Sequence, residues 1–126
     1  TKGAAATLDV SGRVILSDLM FQTGSSNLGE GSFKSLQNLA DYLRSNSTRK
    51  VALVGHTDAE GSLEGNIALS KRRASSVRKR LIEAYGVPTD QLSADGVGFL
   101  SPVASNLSAA GRTANRRVEA VLISTQ

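Results

Sequence analysis

A chain of 126 residues, 40% hydrophobic and 21% charged, with twelve glycines and two prolines, has the size and make-up of one folded domain; this speaks against two domains and against a disordered or fibrous chain. The lack of cysteine removes disulfides, thiolate metal sites and cysteine nucleophiles but leaves the compartment open. No apolar run approaches the roughly 18 residues of a membrane helix, and GAAA is too short for a signal-peptide core, so Thr1 is expected to begin a mature chain or an excised fragment.

The first predicted element is a strand over residues 13–21, RVILSDLMF, preceded by a segment (1–12) read as an N-terminal extension or linker remnant. The turn-rich QTGSSNLGEGS follows, and then the period changes: Phe33, Leu36, Leu39, Ala40 and Leu43 recur at three and four, which predicts an amphipathic helix ending near SNSTRK. Residues 50–55, KVALVG, are apolar without alternation, as in a strand covered on both faces. After the loop HTDAEGS, Ser62 is a predicted N-cap and Glu64 suits the first turn of a long helix running to about Tyr85. Gly86 and Pro88 end it. QLSADGVGF gives a third strand, LSPVASNLSAAGRTA a loop with one helical turn, NRRVEAVLIS a closing strand, and 124–126 a tail. The order β-α-β-α-β-β implies an α/β sandwich (α+β), two main helices packed on one mixed sheet of about four strands. The first two βα steps should set their strands parallel, and the last strand should pair antiparallel. The strand order stays open.

The net charge of +4 raises the possibility of nucleic-acid binding. Six of the fifteen basic residues lie in KRRASSVRKR (71–80), but helical geometry sends them in three directions: Lys71 with Arg78, Arg72 with Lys79, Arg73 with Arg80. With three phenylalanines, two tyrosines and no tryptophan for base stacking, no nucleic acid is expected as partner.

Asp58 lies beyond the carboxyl end of the most apolar strand, where open α/β sheets bind ligands. On a wheel centred near Val77, the apolar sector holds Leu69, Ala74, Val77, Leu81 and Ala84, with Arg73 and Asn66 among them. An arginine on a core-facing stripe needs water or a carboxylate, and Asp58 is the nearest candidate. The two residues either pair with each other as a structural ion pair or face a ligand together. His56 and Asp58 would share a strand face, but one histidine without cysteine leaves the usual metal set incomplete, so no metal is expected. There is no Gly-x-Ser-x-Gly elbow, and GVG (96–98) does not open a glycine-punctuated helix; neither a hydrolase nor a dinucleotide site is expected. His56 reads as a packed or capping residue, and no catalytic residue or cofactor is assigned.

Several ordered segments together resemble the OmpA-like peptidoglycan-binding domain family, which includes the periplasmic ends of outer-membrane porin-type proteins, peptidoglycan-associated lipoproteins and flagellar stator proteins. These are FQTGSSNL (21–28), VGHTDAEGS (54–62), NIALSKRRASSVRKRL (66–81), GVGFLSPVASN (96–106) and GRTANRRVE (111–119). The resemblance covers residues 13–123. It implies non-catalytic binding of the diaminopimelate-containing stem peptide, anchoring a periplasmic, outer-membrane-associated protein to the cell wall; a stator-type anchor of an inner-membrane motor protein is the runner-up. The family's aspartate falls on Asp58 and its helix arginine on Arg73, which suit an ammonium and a carboxylate respectively. Thr57, Asn66, Leu69 and Arg116 are implied around them, with Arg117 facing the other way, and Gln22 stands where members often carry Asp or Asn. The implied partners are peptidoglycan and, as a further possibility, a second copy of the chain in a homodimer, with a membrane only through a parent segment.

Overall fold

The sheet explains most of the molecule, because its strand order decides which loops meet. In the computed structural model, which describes residues 2–125 and side chains from Thr7 to Thr125, the elements are α1 (Lys2–Ser11), β1 (Arg13–Ile15), α2 (Lys34–Ser45), β2 (Val51–Gly55), α3 (Leu63–Tyr85), β3 (Leu92–Gly96), α4 (Ala109–Asn115) and β4 (Val118–Leu122). Thr1, at the start of the 1–12 segment, and Gln126, at the end of the 124–126 tail, lie outside the described residues. The four strands run in the order β1-β4-β2-β3. β2 and β3 are parallel, while β4 is antiparallel to both β1 and β2, so β1, β2 and β3 share one direction as the βα steps require. The sheet is therefore mixed, and the last strand in sequence lies inside it.

Leu53 sits opposite Ala94 on one side and Ala120 on the other. The face they share is closed by helices, where Leu8, Leu36, Leu39, Leu43, Val77 and Leu81 join Val51, Leu53, Val118 and Ala120 in one core. Among the described residues no helical layer covers the opposite face: Ala52, Val54 and Val121 are only half-buried there. The expectation that KVALVG is covered on both faces is thus corrected; one face is packed and the other is left partly open.

Local signals place α3 well. Ser62 Oγ accepts from Gly65 N at 3.1 Å, and Gly86 ends the helix at φ 71°, a conformation that favours glycine. Ala84 of the apolar sector is exposed, beyond the edge of the core, whereas Ser70, a residue the wheel leaves out, is fully buried. It marks where α3 touches the sheet: a Cβ on Gly55 would stand 2.7 Å from the Ser70 carbonyl carbon, and one on Gly96 2.6 Å from the same atom.

Two segments differ from their sequence reading. The strand expected over 13–21 ends at Ile15; Leu16, Leu19 and Phe21 go on to bury in the core without alternating, through a turn in which Leu19 N donates to Leu16 O. The 1–12 segment contains helix α1, which sinks Leu8 into the core. Asp9 of this helix accepts from Tyr42 Oη at 2.8 Å and from Arg49 Nη1 at 2.7 Å, tying α1 to α2 and the turn after it. Those two donors hold the Asp9 carboxyl below the usual carboxylate range. The single helical turn expected after residue 100 is the seven-residue α4. Among the described residues no helix is long and apolar enough to cross a membrane.

Candidate functional site

At the carboxyl end of β2 the chain leaves the sheet and must satisfy its backbone elsewhere. Thr57 N donates to Gly98 O at 2.9 Å, and Thr57 Oγ1 donates to the Asp58 carbonyl at 2.9 Å. Asp58 is 4% exposed. Its Oδ1 accepts from Glu60 N at 3.0 Å and its Oδ2 from Arg116 Nη1 at 2.9 Å. Asn66, on the first turns of α3, donates through Nδ2 to Glu60 O at 2.7 Å and Ser62 O at 2.9 Å, which fixes the loop against the helix.

Arg73 is completely buried. Its guanidinium joins three backbone carbonyls: Nε to Ser25 O at 2.9 Å, Nη1 to His56 O at 3.1 Å and Nη2 to Gln22 O at 3.1 Å. The Phe21 ring lies 5.2 Å from its central carbon, within cation–π range. Burial, with the neighbouring Arg116 charge, lowers its pKa to about 10, against the opposing pull of Asp58, so it stays charged at neutral pH. The structural ion pair between Asp58 and Arg73 considered from the sequence is absent; Asp58 pairs with Arg116, because loop carbonyls already surround the Arg73 guanidinium.

These side chains surround a cavity of about 100 Å³ lined by Thr23, Gly24, Thr57, Asp58, Glu60, Asn66, Leu69, Arg73 and Arg116. The structure thus brings together six of the residues singled out in the sequence: Thr57, Asp58, Asn66, Leu69, Arg73 and Arg116. Gln22 does not line the cavity; its side chain is exposed and it contributes its carbonyl to Arg73. Thr23, Gly24 and Glu60 were not foreseen. The signal for the first two was the turn-rich stretch itself, where Gly24 has φ 77°. Larger hollows lie among the described residues: about 420 Å³ beside Lys79 and Arg80, about 330 Å³ between β1 and α2, and about 230 Å³ beside Met20 and Val103.

Arg117 faces the other side of the sheet, as its parity requires, and bonds Glu119 Oε2 through Nε at 2.7 Å. His56 turns to that side too, with Nε2 3.8 Å from Glu119 Oε2 and neither ring nitrogen hydrogen-bonded. It therefore does not share a face with Asp58; the strand ends at Gly55 and the alternation with it. Among the described residues no group of three or more His, Asp or Glu is placed to hold a metal. Burial, then the Arg117 charge, lowers the His56 pKa to about 4 from its ordinary 6.5. Between those values the unfolded chain binds more protons than the folded one, so stability is greatest above pH 6.5 and falls as pH drops toward 4. Denaturant titrations at pH 7 and pH 4.5 should show a smaller drop for His56→Gln than for the unmodified chain; equal drops would assign the acid sensitivity elsewhere.

Of the six basic residues in 71–80, three are held by backbone carbonyls: Arg73 as above, Arg78 by Leu92 O and Thr89 O, and Arg80 by Gly29 O and Gly31 O. They brace loops against α3.

The model of the OmpA family matches residues 20–116. Outer membrane porin F of Pseudomonas aeruginosa is 41% identical over 103 residues, covering 82% of this chain and 29% of that protein. The peptidoglycan-binding protein ArfA of Mycobacterium bovis is 36% identical over 104 residues, covering 82% of this chain and 32% of its own length. The chain thus spans about a third of the length of these curated relatives. Among solved structures, the peptidoglycan-associated lipoprotein from Burkholderia pseudomallei superposes with a TM-score of 0.75 at 34% identity, covering 82% of this chain and 87% of that one.

Proposed function

Because this chain belongs to the OmpA family, we propose that it binds peptidoglycan non-covalently through the diaminopimelate of the stem peptide and so anchors a cell-envelope protein to the wall. The observation that carries the reading is the cavity where Asp58, Arg73 and Arg116 converge with Thr57, Asn66 and Leu69. Diaminopimelate in a stem ends in a free ammonium and a free carboxylate. A buried carboxylate and two guanidiniums at the mouth of a rigid strand match those two charges, and Leu69 gives the stem's methylenes an apolar wall. The similarity to an outer-membrane porin, a peptidoglycan-binding protein and a peptidoglycan-associated lipoprotein supports both ligand and compartment. The residues of the cavity suit binding without turnover, since the single histidine lies across the sheet from it and stays neutral down to about pH 4. We place the domain in the periplasm, associated with the outer membrane. A wall polymer offers many stems, so modest affinity at one site suffices when the parent is tethered or oligomeric.

Co-sedimentation with purified sacculi tests this. The domain should pellet with diaminopimelate-type walls and stay in the supernatant with lysine-type walls, which lack the free carboxylate. Equal pelleting with both would remove the role given to diaminopimelate, and no pelleting with either would remove wall binding.

A further inference from the structure

The charge of the cavity comes from four groups. Arg73 and Arg116 are cations, and Asp58 has its carboxylate engaged on both oxygens, by Arg116 and by Glu60 N. Since Arg116 and Asp58 offset one another, the buried Arg73 charge has no carboxylate of its own, only three carbonyls. An entering ammonium would therefore meet one excess positive charge, and Asp58 alone does not cancel it.

The fourth group is Glu60. It lines the cavity, is exposed, and its carboxylate has no hydrogen-bond or ion-pair partner among the described residues. Its backbone is nonetheless fixed by the site itself: its N–H bonds Asp58 and its carbonyl accepts from Asn66. The residue that carries this free carboxylate is thus fixed through its backbone by two residues that line the same cavity.

We infer that Glu60 is a specificity-determining residue: it brings the cavity to net neutrality and, beside Asp58, receives the ligand's ammonium, so that the pocket selects a zwitterionic head group over one carrying only a positive or only a negative charge. This rests on the reading that the cavity takes the free end of the stem peptide. An ammonium has three donors, and a carboxylate has about four acceptor positions. Asp58, with two of its positions used, shares the ammonium with Glu60, while the carboxylate of the same head lies toward the arginines. Removing the amine's charge would leave Glu60 facing the ligand without a partner; removing the carboxylate's charge would leave Arg73 so.

Calorimetric titration with the tripeptide N-acetyl-L-alanyl-γ-D-glutamyl-diaminopimelate, whose one free amine is on the diaminopimelate side chain, and with the same peptide acetylated there too, tests this on unmodified protein, Glu60→Gln, Glu60→Asp and Asp58→Ala. Glu60→Gln should bind the free-amine peptide about fivefold more weakly at low salt, the scale of an ion pair at an exposed rim. That gap should narrow as salt rises, Glu60→Asp should regain most of it, and the doubly acetylated peptide should bind Glu60→Gln no more weakly than the unmodified protein. If Glu60→Gln binds the free-amine peptide as well as the unmodified protein does while Asp58→Ala loses it, the role given to Glu60 is wrong and the pocket stands. If the unmodified protein binds neither peptide, the pocket reading falls and this inference with it.

Discussion

Asp58→Ala is expected to abolish co-sedimentation with diaminopimelate-type sacculi while leaving a folded domain. The carboxylate is 4% exposed and faces a cavity only about 100 Å³ in volume, so a ligand ammonium placed there has little water to replace it. Leaving one partner of such a pair buried and uncompensated costs about 2 to 5 kcal/mol, enough to take a weak single-site interaction below detection. The substitution also frees Arg116, but that side chain keeps Phe21 O as an acceptor at 3.2 Å and Thr113 Oγ1 at 3.1 Å. Loss of stability should therefore be smaller, about 1 to 3 kcal/mol for the lost acceptor. Circular dichroism would establish that the variant is folded before sedimentation is read. A folded variant that still pellets with the wall would show that Asp58 is only Arg116's structural partner. Arg73 is a poorer probe for this purpose: its removal leaves the carbonyls of Gln22, Ser25 and His56 without their donor and loosens the loops that form the cavity.

The second large effect concerns a residue outside the lining of the cavity. Gly55→Ala would drive a methyl group into the carbonyl of Ser70, whose carbon lies 2.7 Å from the new atom. Ser70 has no room to yield, since it is fully buried, its hydroxyl donates to Ile67 O at 2.9 Å, and that hydroxyl also accepts from Gly98 N at 2.9 Å. Either α3 lifts or the end of β2 bends away, and overpacking of this kind costs about 3 kcal/mol. Because α3 carries Asn66, Leu69 and Arg73 while β2 leads into Thr57 and Asp58, the strain falls across the two walls of the cavity. Urea unfolding should show a midpoint well below that of the unmodified chain, and sedimentation with sacculi should weaken even where the variant is folded. A midpoint unchanged within error would mean that α3 and the sheet have room between them for the added methyl group.

Both effects depend on features of unequal visibility in the sequence. The limits of α3 could be read because their causes are local: Ser62 three residues before an N–H it can cap, and Gly86 where the chain turns left-handed. Asp58 and Arg73 could be singled out because a carboxylate beyond an apolar strand and a guanidinium on an apolar stripe are each costly without a purpose. Their actual partners were hidden for a different reason. Arg73 is satisfied by main-chain carbonyls, which every residue possesses and no sequence letter marks. Asp58 is satisfied by Arg116, 58 residues away, and that pairing depends on the strand order. Residues 16–21 were misread as strand because Leu16, Leu19 and Phe21 bury apolar side chains from an irregular segment. Composition does not distinguish that from a short strand.

The place of β4 in the sheet also dictates a sequence of events. Among the described residues β1 has no strand neighbour except β4, and β4 is the wedge that joins it to β2. Thus Arg13 meets Val121 and Leu53 meets Ala120 across nearly the whole chain and half of it respectively. Contacts so distant along the chain close late, since the entropy of a large loop must be overcome before any of them forms. Until Val118–Leu122 joins the sheet, β1 lacks its strand partner, and Arg116, two residues ahead of β4, is not placed to reach Asp58. The cavity proposed to receive the wall is thus completed only when β4 joins the sheet, so a chain with β4 unpaired would lack the Asp58–Arg116 wall of that cavity.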